Sequence, residues 1–115
     1  MKYGLKVVGV LAILVTSLVL VGCDAIRLHP VLVCIRHHES DRTVWPYVRG
    51  YGAQNPVSSA SGAYQFVDGT WRSQSSRAGY GGYARAKFAP PEVQDAVAYY
   101  TITHGGRGHW RGSGC

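Results

Sequence analysis

Acidic side chains are scarce in this chain of 115 residues, where six Asp and Glu stand against twelve Lys and Arg. From Cys23 onward the balance is ten to six, about +4 with neutral His, a field that attracts polyanions. The basic residues are almost all Arg and scattered, and no nucleic-acid-binding motif surrounds them, which argues against DNA or RNA as partner. Repeats and low-complexity tracts are also missing, so the length holds one small domain at most. Neither HExxH nor HxxEH can be completed around Glu39. The neighbours His37 and His38 would point about 100° apart on a helix, and His104 and His109 read as solvated. No metal and no other cofactor is expected.

What is present begins with an export signal. Lys2 and Lys6 precede an apolar run from Val7 to Val21, broken only by Thr16 and Ser17, and Gly22-Cys23 offers a small-residue cleavage point. As a membrane span, Val7 to Gly22 falls just short of the roughly 17 to 25 residues required, so a signal anchor is the alternative at residues 1–22. Leu20-Val21-Gly22-Cys23 resembles the lipobox of bacterial lipoproteins, in which the Cys carries lipid. Three cysteines in an exported chain leave one over, and a lipidated Cys23 would free Cys34 and Cys115 to bond.

Residues 23–30 read as a connector, and residues 31–115 as the domain. Val31 to Ile35 is apolar on all sides and turns polar at Arg36, which predicts a short helix buried at its start and open where Glu39 emerges. Trp45 to Ser61 is rich in Gly, Asn, Pro and Ser, predicting irregular loops or a small hairpin. A second helix is expected over about Ala63 to Arg77, and a third from Pro90-Pro91 to the Gly105-Gly106 stop. In the third, Val93, Ala96, Val97 and Tyr100 have the spacing of one buried face. The core is marginal for some eighty residues, and a Cys34–Cys115 bond would add roughly 4 to 5 kcal/mol in the chain-entropy model.

Glu39 itself reads two ways. A carboxyl at the end of an apolar helix beside aromatic loops is partly desolvated, which suits a general acid. A solvated Glu at a helix end is the plainer alternative.

Cys34-x4-Glu39-Ser40 resembles the c-type lysozymes, in which that Glu is the catalytic acid and that Cys bonds a late Cys. Trp110 and Cys115 look like the matching closing tail. Gly62-Ala63-Tyr64-Gln65-Phe66 with Thr70-Trp71 is similar to the G-x-x-Q-[FI] segment shared by lysozymes, lytic transglycosylases and resuscitation-promoting factors. The transglycosylase-like domains of the last group, short, exported and single-Glu, are nearest by pattern. The resemblance implies an α+β, mainly helical, lysozyme-like domain with a short loop or hairpin lobe, stapled by one disulfide.

It further implies cleavage of the β-1,4 bond between N-acetylmuramic acid and N-acetylglucosamine in peptidoglycan, on the outer face of a bacterial membrane or in secreted form. Membrane attachment would come from Cys23 lipid or the N-terminal segment. Glu39 would be the acid and Gln65 would line the cleft, with Tyr64, Thr70, Trp71, Trp45 and Tyr47 as further substrate contacts. Tyr64 and Trp71 are equally open to a place in the core. One departure matters: the second carboxylate of c-type lysozyme falls here on Ala60, and neither Asp41 nor Asp68 stands in a motif that replaces it. Retaining hydrolysis through a covalent intermediate needs two carboxyls about 5 Å apart. A lone acid instead suits lytic transglycosylase chemistry, in which the substrate's own group takes the second role. The alternatives from other classes are a non-catalytic glycan-binding or signalling protein on the same fold, and a small structural or inhibitory lipoprotein.

Overall fold

A computed structural model describes residues 25–40 and 47–115. The expectations for the export signal, Cys23, Asp41 and Trp45 lie outside the described residues. Helix α1 spans Pro30–Glu39. Its proline sits where a missing N–H costs nothing, the His29 ring accepts from the Val31 N–H at 3.3 Å, and the Ser40 N–H closes the last turn on the Arg36 carbonyl at 3.1 Å. Leu32 and Ile35 face inward, fully buried. Arg36, expected where the helix opens to water, is only 1% exposed.

Helix α2 spans Asp68–Arg77 and α3 spans Pro91–Thr103. Short 3-10 helices occupy Tyr47–Gly52, Ala86–Phe88 and Arg107–Ser113. Strand is reduced, among the described residues, to two isolated antiparallel bridges, Gln54 with Ser61 and Ser61 with Phe66. The fold is therefore mainly helical with little strand, and Cys34 bonds Cys115 across a separation of 81 residues. Among the described residues no helix is long and apolar enough to cross a membrane.

Three expectations need correction. The second helix begins at Asp68, not near Ala63, because Gly62 has φ of 80° and Gln65 has φ of 51°, values that a right-handed helix cannot contain. The apolar residues Ala63, Tyr64 and Phe66 are buried as a turn. On α3, Val97 of the expected stripe is fully buried, but Val93, Ala96 and Tyr100 are half-buried, and the inward face carries Gln94, Asp95, Ala98 and Thr101. Ala25 to Pro30, expected as a connector, contributes to the fold. Ile26 packs against the core, and the Arg27 Nε donates to Asp95 Oδ2 at 3.0 Å.

The core joins the three helices around an aromatic cluster. Phe66 lies 5.6 Å from Trp71 and 5.3 Å from Trp110 between ring centroids, with edge-to-face or tilted rings. Both indoles also find acceptors, as buried Trp does. The Trp71 N–H donates to the Tyr83 carbonyl and the Trp110 N–H to the Tyr64 carbonyl, each at 2.8 Å.

Candidate active site

Glu39 is the last residue of α1 and is half-buried. Its neighbour Ser40 ties the helix end to a distant turn: the Ser40 hydroxyl donates to the Ala63 carbonyl at 2.8 Å. The end of α1 is thereby tied to the Gly62–Phe66 turn that carries Gln65. The E-S and G-x-x-Q-F motifs, more than twenty residues apart in sequence, meet through this bond.

The turn is held from its other side by α3. Gln94, 1% exposed, accepts the Ala63 N–H at 2.9 Å and donates to the Tyr51 and Ala89 carbonyls at 3.0 and 2.8 Å. Gly62 is required where it stands. Its φ is positive, and a Cβ there would lie 2.5 Å from Gln94 Oε1 and 3.3 Å from Ala86 Cβ. Gly62→Ala is expected to lower stability by about 3 kcal/mol, from left-handed strain plus displacement of a buried, hydrogen-bonded amide. Chemical denaturation measures this, and a loss below about 1 kcal/mol would contradict the close packing of Gly62 on Gln94.

Gln65 occupies a left-handed conformation that a glycine would adopt without strain. Its side-chain amide turns back to donate to the Gly62 carbonyl at 3.0 Å. A long polar side chain where the backbone favours glycine is the kind of local cost that clusters at functional sites.

Beneath the site lies a buried polar network that sequence reading missed. Asp95 Oδ1 accepts the Tyr64 hydroxyl at 2.5 Å and the Tyr51 hydroxyl at 2.6 Å. Arg36 Nη1 donates to the Tyr64 oxygen at 2.7 Å and stands 3.6 Å from Asp95 Oδ1. Arg36 Nη2 donates to the Arg27 carbonyl at 2.8 Å. One turn before Glu39, the network thus ties α1 to the Gly62–Phe66 turn and to α3. The one legible signal was a polar pair, Gln94-Asp95, inside an apolar helix stretch, and periodicity assigns such pairs to solvent.

Burial pushes the Tyr51 and Tyr64 phenols well above the ordinary value of 10.0, and the Asp95 carboxylate adds to the rise. The folded state therefore keeps both protons after the unfolded chain has lost them. Their contribution to stability is complete below pH about 10 and falls as pH rises above it. In an alkaline titration Tyr51 and Tyr64 are expected to ionise only as the chain unfolds. Full tyrosinate absorbance with unchanged near-ultraviolet dichroism would refute this.

The remaining expected contacts divide. Tyr64 and Trp71 are both 0% exposed, so they belong to the core and offer no face to a sugar ring. Thr70 is half-buried in the first turn of α2, and Tyr47 opens the first 3-10 helix. Ala60, where the resemblance to c-type lysozyme would put a second carboxylate, is buried at 7% exposure. Asp68 accepts from Arg85 Nε at 3.1 Å and begins α2, which gives it a structural task. The ligand atoms of Cys34, His38 and Cys115 lie within 4.8 Å of one another, but the two sulfurs are joined in the disulfide and have no lone thiolate for a metal.

A stretch of 58 residues, half of the chain, is 48% identical to the "Probable transglycosylase SceD" of Staphylococcus aureus strain Newman, and the same holds for strains Mu3 and USA300. That stretch corresponds to 24% of each relative's length, so the match covers about a quarter of the proteins it resembles. It supports a transglycosylase-like domain. No family model and no solved structure matches the chain.

Proposed function

We propose that the chain is an exported enzyme that cleaves the β-1,4 bond between N-acetylmuramic acid and N-acetylglucosamine of peptidoglycan, on a lysozyme-like domain of the resuscitation-promoting factor type. The observation that carries this reading is the Ser40 bond to Ala63, which ties the end of α1, where Glu39 stands, to the turn bearing Gln65. The partial likeness to a probable transglycosylase supports it.

In this reading the Glu39 carboxyl gives its proton to the glycosidic oxygen as the bond from the muramic C1 breaks. The resulting Glu39 carboxylate then takes the proton of the same sugar's 6-hydroxyl as that oxygen closes on C1. The product is a 1,6-anhydro sugar, no water is consumed, and the acid is regenerated. A single carboxyl suffices, in keeping with Ala60 at the place of a second one. Gln65 lines the cleft, Thr70, Tyr47 and Trp45 are candidate further contacts, and lipid on Cys23 or the N-terminal apolar segment would hold the enzyme at the outer membrane face.

Mass spectrometry of purified peptidoglycan digested by the protein, beside its Glu39→Gln variant, tests the proposal. Glu39-dependent anhydro products are expected. Glu39-dependent reducing ends would replace the transglycosylase step with hydrolysis, and glycan binding without cleavage would favour a recognition module instead.

A further inference from the structure

The backbone that carries Gln65 is gripped by side chains from three parts of the fold. Ser40, after α1, and Gln94, on α3, hold the two polar groups of Ala63, the first donating to its carbonyl at 2.8 Å and the second accepting its N–H at 2.9 Å. The next peptide unit is held by Trp110, whose indole N–H donates to the Tyr64 carbonyl at 2.8 Å. That oxygen and the Gln65 N–H lie in one rigid peptide plane, so holding the oxygen fixes the plane from which Gln65 turns to φ of 51°. A residue with a Cβ is disfavoured in this left-handed geometry, and rotation of a freed plane would let Gln65 return to negative φ. The Trp110 bond opposes that rotation.

Trp110 is itself firmly placed. It is buried, and its ring packs edge-on against Phe66 and Tyr64, 5.3 and 6.4 Å between centroids. Its carbonyl accepts from Ser113 Oγ at 2.6 Å. The segment is tied through Cys115 to Cys34 of α1, five residues before Glu39. Helix α1 and the Gln65 turn are thus joined through Ser40 and again through the disulfide and Trp110. A buried indole needs an acceptor, and here the acceptor is the carbonyl next to the left-handed residue.

We infer that Trp110 is a positioning residue for the cleavage reaction: through the Tyr64 carbonyl it holds Gln65 in its left-handed conformation and so sets the place of the Gln65 side chain. The inference rests on the function proposed above, in which Gln65 lines the cleft.

The test replaces Trp110 by benzothienylalanine, which keeps the bicyclic shape and lacks the N–H, with Trp110→Phe as a second variant. Both are made in the full chain and again in a Gln65→Ala background. With soluble glycan strands as substrate, loss of the N–H is expected to lower kcat about tenfold, the effect of one neutral hydrogen bond, with KM held within about twofold. In the Gln65→Ala background the same replacement should change kcat by less than about twofold, because the group being positioned is already gone. The NMR coupling between the Gln65 amide and α protons reads φ without reference to cleavage, and it should move toward its value for negative φ. Unchanged kcat, an unchanged Gln65 coupling, or an equal fall in kcat in the Gln65→Ala background would each overturn the inference and leave the proposed cleavage standing. An unaltered protein that cleaves nothing would overturn the proposed function and this inference with it.

Discussion

Replacing Glu39 by Gln is expected to lower peptidoglycan cleavage by about 10² to 10⁴, the usual range for loss of a positioned general acid. Glutamine keeps the size and removes the proton that the leaving oxygen needs. Glu39 ends α1 and is half-buried, and Ser40, Arg36 and Cys34 also anchor that helix end. Because glutamine keeps the length of the side chain, the variant is expected to stay folded while turnover falls, which a melting curve beside the cleavage assay checks. Strand binding should persist, since the loss falls on the transition state and leaves ground-state contacts in place. Undiminished product formation by the variant would remove Glu39 from the chemistry.

Asp95→Asn is the largest expected effect on stability, about 3 to 5 kcal/mol. The substitution removes the charge that faces Arg36, itself 1% exposed. An amide cannot accept both the tyrosine hydroxyls on one atom and Arg27 on the other without presenting a donor to one of them. A buried cation would lose the carboxylate charge that faces it at 3.6 Å. Tyr64→Phe should cost less, about 1 to 3 kcal/mol, because it deletes one hydroxyl and leaves the ion pair. Urea denaturation of both variants distinguishes them, and equal losses would show that the carboxylate charge is not the centre of the network. Because Arg36 lies one turn before Glu39, Asp95→Asn should also reduce turnover at temperatures where the variant is still folded.

The expected helix starts at Pro30 and Pro91 agree with the structure to within a residue, since proline and glycine act through local backbone geometry. The second helix starts five residues later than expected because Ala63, Tyr64 and Phe66 are apolar at a helix-like spacing, yet they belong to a turn closed by the Ser61–Phe66 bridge. On α3 the apolar stripe named Val97 correctly but missed Gln94 and Asp95. Their burial is stabilised by partners on the 3-10 helix at Tyr47–Gly52, on the Gly62–Phe66 turn and near α1, none of which a local pattern contains. Among the expected substrate contacts, Tyr64 and Trp71 proved to be core, because an aromatic side chain serves a sugar or an interior equally well until its surroundings exist.

By itself, the sequence determined the punctuation of the helices, the shortage of acids that singles out Glu39, and the two short motifs around Glu39 and Gln65. These are properties of neighbouring residues and of composition, which no later folding step can alter. Only the tertiary structure decided that Ser40 joins those motifs, that Arg36 and Asp95 lie inside the protein, and that the Trp110 N–H reaches the Tyr64 carbonyl. Each of these joins residues on different elements, and a polar group is buried only where packing brings its hydrogen-bond partners to it.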